Sequence, residues 1–188
     1  DTWLTALLEE HGYHRQQVLE VYLQRRMDSP ADTPALPSGY IMRPFNIETD
    51  LLQRAGAQSD AFAGEPIPGD WAIGNTRRFV RWYEGREDLD LVAVSPDGEI
   101  AAFAVFLIDP GTGVGELDPV GTRSSHQRKG LSKALLLAGL AYMKSKAMAS
   151  AAVRTGVQNL PAIRLYESVG FRVEDQLYRY TKPPADRP

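Results

Sequence analysis

The chain has 188 residues, of which 43% are hydrophobic and 24% are charged, and its formal net charge is −3. This composition is typical of a globular protein with its own apolar core, and the lack of any Lys/Arg block argues against nucleic acid or an anionic membrane as a partner. Cysteine is absent, which excludes disulfides, thiolate metal ligands and a cysteine nucleophile, and which fits a reducing cytoplasm.

The N-terminal part of the sequence is an arm, residues 1–27. Residues 28–38 follow it, with three prolines and no hydrophobic periodicity, which predicts a linker. The main domain is then expected at 39–182, and 183–188 form a short tail.

Hydrophobic periodicity predicts an α/β domain between residues 39 and 182. Predicted strands cover 40–44, 89–94, 100–107, 114–122, 151–157 and two segments within 171–181, while predicted helices begin at caps on Asp50 and Asn75, at about Lys129 and at Leu160. Tight turns between strands require antiparallel pairs, whereas the β-α-β crossover through 129–145 requires a parallel pair. The prediction is a mixed, mostly antiparallel sheet with helices on both faces.

The arm repeats the end of the main domain. At an offset of 158 residues, without gaps, the matched pairs are Gly12 with Gly170, Leu7 with Leu165, Glu9 with Glu167, Leu19 with Leu177 and Tyr22 with Tyr180. A repeat at domain length indicates tandem copies of one fold, so we expect the arm to be the tail of a preceding, similar domain. One alternative is a chance match of an amphipathic helix. The arm could also pack on the sheet of its own chain, or add to the sheet of a neighbour, as in a homodimer.

The segment Gln127–Ser132 lies between a predicted strand and a predicted helix. The first N–H groups of a helix have no internal partner and carry the positive end of its dipole, so they can hold a pyrophosphate. Gly130 allows close backbone approach, while Arg128 and Lys129 add positive charge. These residues alone fit an anion cradle and a solvated basic helix start equally well.

A second motif follows, with Asn159 ahead of the helix Leu165-Tyr166-Glu167-Ser168-Val169-Gly170-Phe171. Together with the 127–132 loop, this motif resembles the GCN5-related N-acetyltransferase (GNAT) superfamily, and the arm suggests the C-terminal domain of a tandem member. The resemblance covers roughly 40–182. Ser132 departs from the Gly or Ala that the superfamily prefers there.

The resemblance implies a GNAT fold and acetyl-CoA as co-substrate. Its pantetheine arm would pair with the end of the fourth strand of that fold, its pyrophosphate would lie on the loop, and Asn159 would contact pantetheine. The residues expected to bind acetyl-CoA are Val120, Gly121, Thr122, Gln127, Arg128, Lys129, Gly130, Leu131, Ser132, Asn159 and Ala162.

The resemblance also implies direct attack of an amine on the thioester. Tyr166 is the expected general acid for the departing thiolate, since a phenol can donate that proton. Glu116 matches the position of a catalytic glutamate, and Asp118 lies on the same strand face. The base therefore remains open between Glu116, Asp118 and a water relay.

The segment that usually forms the acceptor wall in this superfamily contains three aromatic residues, Trp71, Trp82 and Tyr83. They are candidates to bind the acceptor through stacking or cation–π contacts, although such residues are more often part of the core. No metal site is expected, because the three histidines lack metal-ligand spacing, and no run of 18 apolar residues predicts a membrane span. The expected function is N-acetylation of a small-molecule or aminoacyl amine in the cytoplasm; the alternative is a catalytically silent acyl-CoA-binding domain that regulates a tandem protein.

Overall fold

The computed structural model describes residues 2–28, 35–63, 69–83 and 89–183. Within these ranges the chain forms a seven-stranded sheet and five α-helices. Their bounds are α1 Thr2–Glu10, β1 His14–Arg26, β2 Ile41–Pro44, α2 Ile47–Ala63, α3 Asp70–Tyr83, β3 Leu89–Val94, β4 Ile100–Asp109, β5 Val114–Thr122, α4 Leu131–Ser145, β6 Ser150–Gly156, α5 Leu160–Glu167 and β7 Arg172–Thr181.

The sheet is mixed and mostly antiparallel. Its strand order is β2-β3-β4-β5-β6-β1-β7, and only β5 and β6 run parallel, joined by the crossover helix α4. The predicted fold class is therefore confirmed.

The arm is part of this sheet. Strand β1 lies between β6 and β7, with Tyr22 opposite Arg154 on one side and Asp175 on the other. The prediction of two strands within 171–181 is wrong: β7 is one continuous strand, and β1 from the arm lies beside it. Hydrophobic periodicity reports only on local sequence, so it could not show that the strand beside β7 comes from the other end of the chain.

Two predicted helix starts are also wrong. Helix α2 begins three residues before Asp50, because the Asn46 side chain accepts a hydrogen bond of 2.9 Å from the N–H two residues on. Asp50 is buried and instead pairs with Arg43 of β2, which lowers the pKa of its carboxyl. Helix α3 begins at Asp70, so Asn75 lies inside it.

The core lies on both faces of β4, whose residues are buried except for Asp109. Helix α4 packs so closely on one face that a Cβ added to Gly139 would fall 2.0 Å from the Phe106 ring. Helix α2 covers the other face, where Ala57 packs with Phe103. These contacts fix the beginning of α4 next to the end of β5.

Candidate active site

Strands β5 and β6 separate partway along their length. The parallel pairing runs from Val114 opposite Ser150 to Glu116 opposite Ala152, yet β5 continues to Thr122. On its other side β5 remains paired with β4 up to its last residue. The backbone of residues 118–122 therefore borders a gap on the β6 side, where an extended ligand can bind as an added strand.

The predicted anion loop lies between the end of β5 and the beginning of α4. Arg128 has φ 60° and Gly130 has φ 80°, two left-handed residues that turn the backbone before α4. The first α-helical hydrogen bond is donated by Ala134 N–H to the Gly130 carbonyl, at 3.0 Å. The N–H groups of residues 128–133, which precede this bond, are thus available to an anion.

Gly130 leaves room for that anion. No heavy atom lies within 4 Å of a Cβ built on it, apart from its own neighbours. Gln127, Arg128 and Lys129 are exposed around it, while Leu131 is buried and anchors the helix start. The loop therefore has open space and exposed positive charge where an anion could bind.

A contact between hydroxyl groups joins the gap to the loop. Thr122 at the end of β5 shares a hydrogen bond with Ser132 in the first turn of α4. Ser132, which departs from the superfamily pattern, therefore connects the end of β5 to the first turn of α4.

A series of polar contacts connects the loop to two distant segments of the sequence. The Lys129 ammonium donates to Tyr40 Oη at 3.1 Å, Tyr40 Oη lies 2.8 Å from His126 Nδ1, and His126 Nε2 lies 3.0 Å from Glu99 Oε2. The His126 side chain is only 12% exposed, so it is part of this chain of contacts. Sequence reasoning missed Tyr40 and Glu99, which are distant from the loop in sequence.

The charge of Asp118 acts on Tyr166. Tyr166 is 6% exposed, and burial, followed by the negative charge of Asp118, raises its pKa to about 12. The pKa of Asp118 is raised by burial and then by the charge of Glu116. The tyrosine is therefore protonated at neutral pH and can donate, while the carboxylate holds a proton more strongly than usual.

Glu116 lines an open cleft on the sheet face beside β6. Its carboxylate lies 3.5 Å from Arg154. The cleft is lined by Tyr22, Leu107, Asp109, Thr112, Val114, Glu116, Ala152 and Arg154. Tyr22 comes from the arm, so β1 contributes to the same surface as the candidate base.

Sequence reasoning missed Arg154 and Tyr22 as site residues. The internal repeat already indicated that Tyr22 is on a strand, because it aligns with Tyr180. What the repeat could not show is that this strand inserts beside β6. Arg154 belongs to no sequence motif, and its place in the cleft follows only from the strand register that puts it opposite Tyr22.

Asn159 and Ala162 lie at the start of α5. The Asn159 Oδ1 accepts from Ala162 N–H at 3.4 Å, and its Nδ2 donates to Thr155 Oγ1 at 3.3 Å. Asn159 therefore caps the helix that carries Tyr166. This capping role was not part of the sequence prediction.

The aromatic candidates for the acceptor wall lie on α3. Trp71 is 77% exposed at the beginning of this helix, where it is open to a ligand. Trp82 and Tyr83 form the end of the helix, and their side chains fall outside what the structure describes.

Two features are absent from the described residues 2–28, 35–63, 69–83 and 89–183. In those ranges no helix combines the length and apolar character needed to cross a bilayer. The same ranges contain no group of three or more His, Cys, Asp or Glu residues arranged to hold a metal ion.

Comparison with known proteins identifies the family. Residues 58–171 match the Acetyltransferase (GNAT) family. A mycothiol acetyltransferase from Thermomonospora curvata is 29% identical over 181 residues, covering 95% of this chain and 60% of that protein. One from Salinispora arenicola is 31% identical over 172 residues, covering 88% of this chain and 55% of that protein.

Among solved structures, the chain resembles a tandem GNAT protein from the clavulanic acid biosynthesis pathway. The TM-score is 0.77 at 19% identity, covering 99% of this chain and 60% of that one. The chain thus spans little more than half the length of the curated relatives it matches. Because the family match covers more than half of the sequence, the chain belongs to the acetyltransferase (GNAT) family, whose acyl donor is acetyl-CoA.

Proposed function

We propose that this chain transfers the acetyl group of acetyl-CoA to the primary amine of a small molecule or aminoacyl group, by direct attack in a ternary complex. The observation that carries the proposal is the gap between β5 and β6. It begins at Glu116 and ends beside the anion-binding start of α4. Asp118 lies on the β5 edge of the gap, and its charge raises the pKa of Tyr166.

Acetyl-CoA would enter with its pyrophosphate on the N–H groups of residues 128–132. From there the pantetheine arm would run along the open edge of β5, pairing with Val120 and Thr122. Gly121, between these two residues, has no room for a side chain, since an added Cβ would fall 2.4 Å from the Phe103 ring. Asn159, which caps α5, would contact the same arm from the other side of the gap.

Asp118 is the proposed base. An amine with an ordinary lysine-like pKa is neutral in only about one molecule in 10³ at pH 7, so removal of its proton assists attack. A carboxylate with a raised pKa takes up a proton more readily than an ordinary one, and Glu116 contributes to that increase. Glu116 itself is paired with Arg154 and would attract the positive charge of the incoming amine.

Tyr166 is the proposed acid. When the tetrahedral intermediate collapses, the carbon–sulfur bond breaks, and the thiolate takes the phenolic proton of Tyr166. Its pKa of about 12 keeps that proton in place throughout the neutral pH range. Backbone N–H groups bordering the gap would stabilise the oxyanion.

The cleft around Glu116 is the proposed entrance for the acceptor. Asp109, Glu116 and Asp118 give this side of the sheet negative charge, which favours a cationic amine. Arg154 would bind an electronegative group elsewhere on the same acceptor. Trp71, Trp82 and Tyr83 remain candidates for its outer wall. The names of the relatives suggest the deacetylated form of mycothiol as a first acceptor to test.

The experiment is a titration with acetyl-CoA by calorimetry, followed by mass spectrometry of the products from an acceptor panel. The panel contains deacetylated mycothiol, aminoglycosides, amino acids and peptide amines. Binding together with an acetylated product supports the proposal. Binding without any product over the whole panel would favour the silent acyl-CoA-binding domain, and an absence of binding would overturn both.

The cytoplasm is the proposed location, supported only by the cysteine-free composition. We also propose the domain division: an arm at 1–27 that belongs to a preceding GNAT-like domain, a linker at 28–38, the acyltransferase domain at 39–182 and a tail at 183–188. The described structure places the arm's strand in the sheet of the main domain. Parts of the linker and most of the tail fall outside the described residues.

A further inference from the structure

The outer edge of β7 ends the sheet. In the described part of the chain, β7 pairs only with β1, whereas residues 20–24 of β1 are paired on both sides. The buried residues of β1 fall in its second half, while β7 has none that is fully buried. An unpaired strand edge presents main-chain groups to which another strand can bind.

The two helix–strand units at this edge are structural copies. Gly12 has φ 78° and Gly170 has φ 89°. Gly12 N–H donates to Glu9 O and Gly170 N–H donates to Glu167 O, each at 3.0 Å. Strand β1 begins at His14 and β7 at Arg172, again 158 residues apart. The repeat seen in the sequence is therefore a repeat of local structure.

The copies are arranged around a local twofold axis. Strands β1 and β7 are antiparallel, and their ladder passes from Val18 opposite Tyr178 to Glu20 opposite Leu177. Leu19 and Leu177, which the repeat aligns with each other, thus lie at the centre of the ladder. A rotation that carries β1 onto β7 carries β6 to the outer edge of β7.

The position of β6 in the chain identifies what would occupy that edge. Strand β6 ends at Gly156, shortly before α5 begins at Leu160. Its equivalent in the repeat would therefore lie shortly before α1. The Thermomonospora curvata relative has room for such a segment, because this chain spans 60% of its length.

Helix α1 provides a second, independent observation. Trp3 is 68% exposed, Leu4 39% and Leu7 43%, and no residue of this helix is buried. In its copy α5, by contrast, Tyr166 is buried against Phe171. The apolar side chains of α1 therefore lack the cover that α5 has, as expected of a helix belonging to a second body of the same fold.

We propose that the outer edge of β7, from Tyr178 to Thr181, accepts the strand that directly precedes α1, from a second GNAT-like body. The two GNAT-like domains then exchange strands, so that the terminal strand of each one is part of the sheet of the other. β1 enters the sheet of residues 39–182, and β7 enters the sheet of the preceding body. This arrangement does not depend on the proposed acetyl transfer.

The register makes the proposal testable at a single residue pair. In the described sheet Tyr22 lies opposite Arg154. The same offset of 158 residues places Tyr180 opposite the residue five positions before Asp1. In the full-length encoded chain, that residue and Tyr180 are both changed to cysteine and treated with a short bis-maleimide. Peptide mass spectrometry then identifies the cross-linked partners.

The experiment has one positive and one negative control. Tyr22→Cys with Arg154→Cys has the same geometry inside this chain and must cross-link. Ile41→Cys, an exposed residue on the opposite edge strand β2, must not link to the upstream cysteine. The proposal predicts an intramolecular link at Tyr180→Cys with a yield like that of the first control. A link only in that control, a link between two copies through Tyr180→Cys, or an encoded chain without an upstream domain would each overturn it.

Discussion

The Thr122 hydroxyl at the end of β5 is hydrogen-bonded to the Ser132 hydroxyl in the first turn of α4. This contact joins the strand edge proposed to pair with pantetheine to the helix start proposed to hold the pyrophosphate. The contact links the two halves of the proposed binding site, so changes at either half are expected to alter coenzyme affinity.

Changing Tyr166 to Phe tests the proposed acid. We expect kcat to fall about 10- to 10³-fold while KM for acetyl-CoA changes little, because the hydroxyl acts on the departing thiolate. Steady-state kinetics measures both values, and Tyr178→Phe, which removes a hydroxyl bonded to Gln176 on β7, is the control. Equal kcat values for the two variants would remove Tyr166 from the mechanism.

Changing Asp118 to Asn and Glu116 to Gln separates the candidate bases. If Asp118 is the base, Asn should abolish most activity, because it cannot take up the proton. Gln at 116 should keep activity and move the acidic limb of kcat/KM to lower pH, because removal of the Glu116 charge lowers the pKa of Asp118. Pronounced loss only in the Gln variant would assign the base to Glu116, and full activity in both would indicate a water relay.

The raised pKa of Asp118 also predicts a stability effect. A carboxyl whose pKa is higher in the folded state favours folding when protonated, and that contribution is lost as the pH rises through the folded-state pKa. Asp118→Asn should therefore raise the melting temperature at pH 7. At a pH below the ordinary aspartate pKa the two proteins should melt alike. Thermal unfolding at both pH values measures this, and a variant less stable at pH 7 would contradict the assigned burial.

Changing Gly130 to Val tests the anion loop. The added side chain would enter the space above the helix start, and we expect coenzyme A affinity to fall at least tenfold. Gly98→Val is a matched control, because Gly98 also has φ 80° and open space around a built Cβ but lies in the β3–β4 turn. Calorimetry on both variants distinguishes lost binding from general backbone strain. Equal affinities would place the phosphates elsewhere.

Sequence periodicity and motifs predicted most of the sheet and the glycine-containing loop that opens α4, since both depend on local patterns. The strand Ile100–Asp109 is apolar up to its last residue, and Gly130 follows a strand and opens a helix. The position of β1 and the starts of α2 and α3 were not predicted. Tyr22 lies in the cleft only because β1 pairs with β6, which is distant in sequence. Helix α2 begins before Asp50 because the side chain of Asn46, and not that of Asp50, caps its first turn. The contacts of His126 with Tyr40 and Glu99 were not predicted either, because these partners come from distant segments.

Amide hydrogen exchange with and without coenzyme A tests the central claim most directly. The account predicts new protection at residues 128–132, from the pyrophosphate, and at Val120 and Thr122, from a ligand paired along the β5 edge. Amides of β2, on the far edge of the sheet, should be unchanged. Protection that bypasses residues 118–122, or that is centred on another part of the sheet, would contradict the assignment of the β5–β6 gap as the acetyl-CoA site.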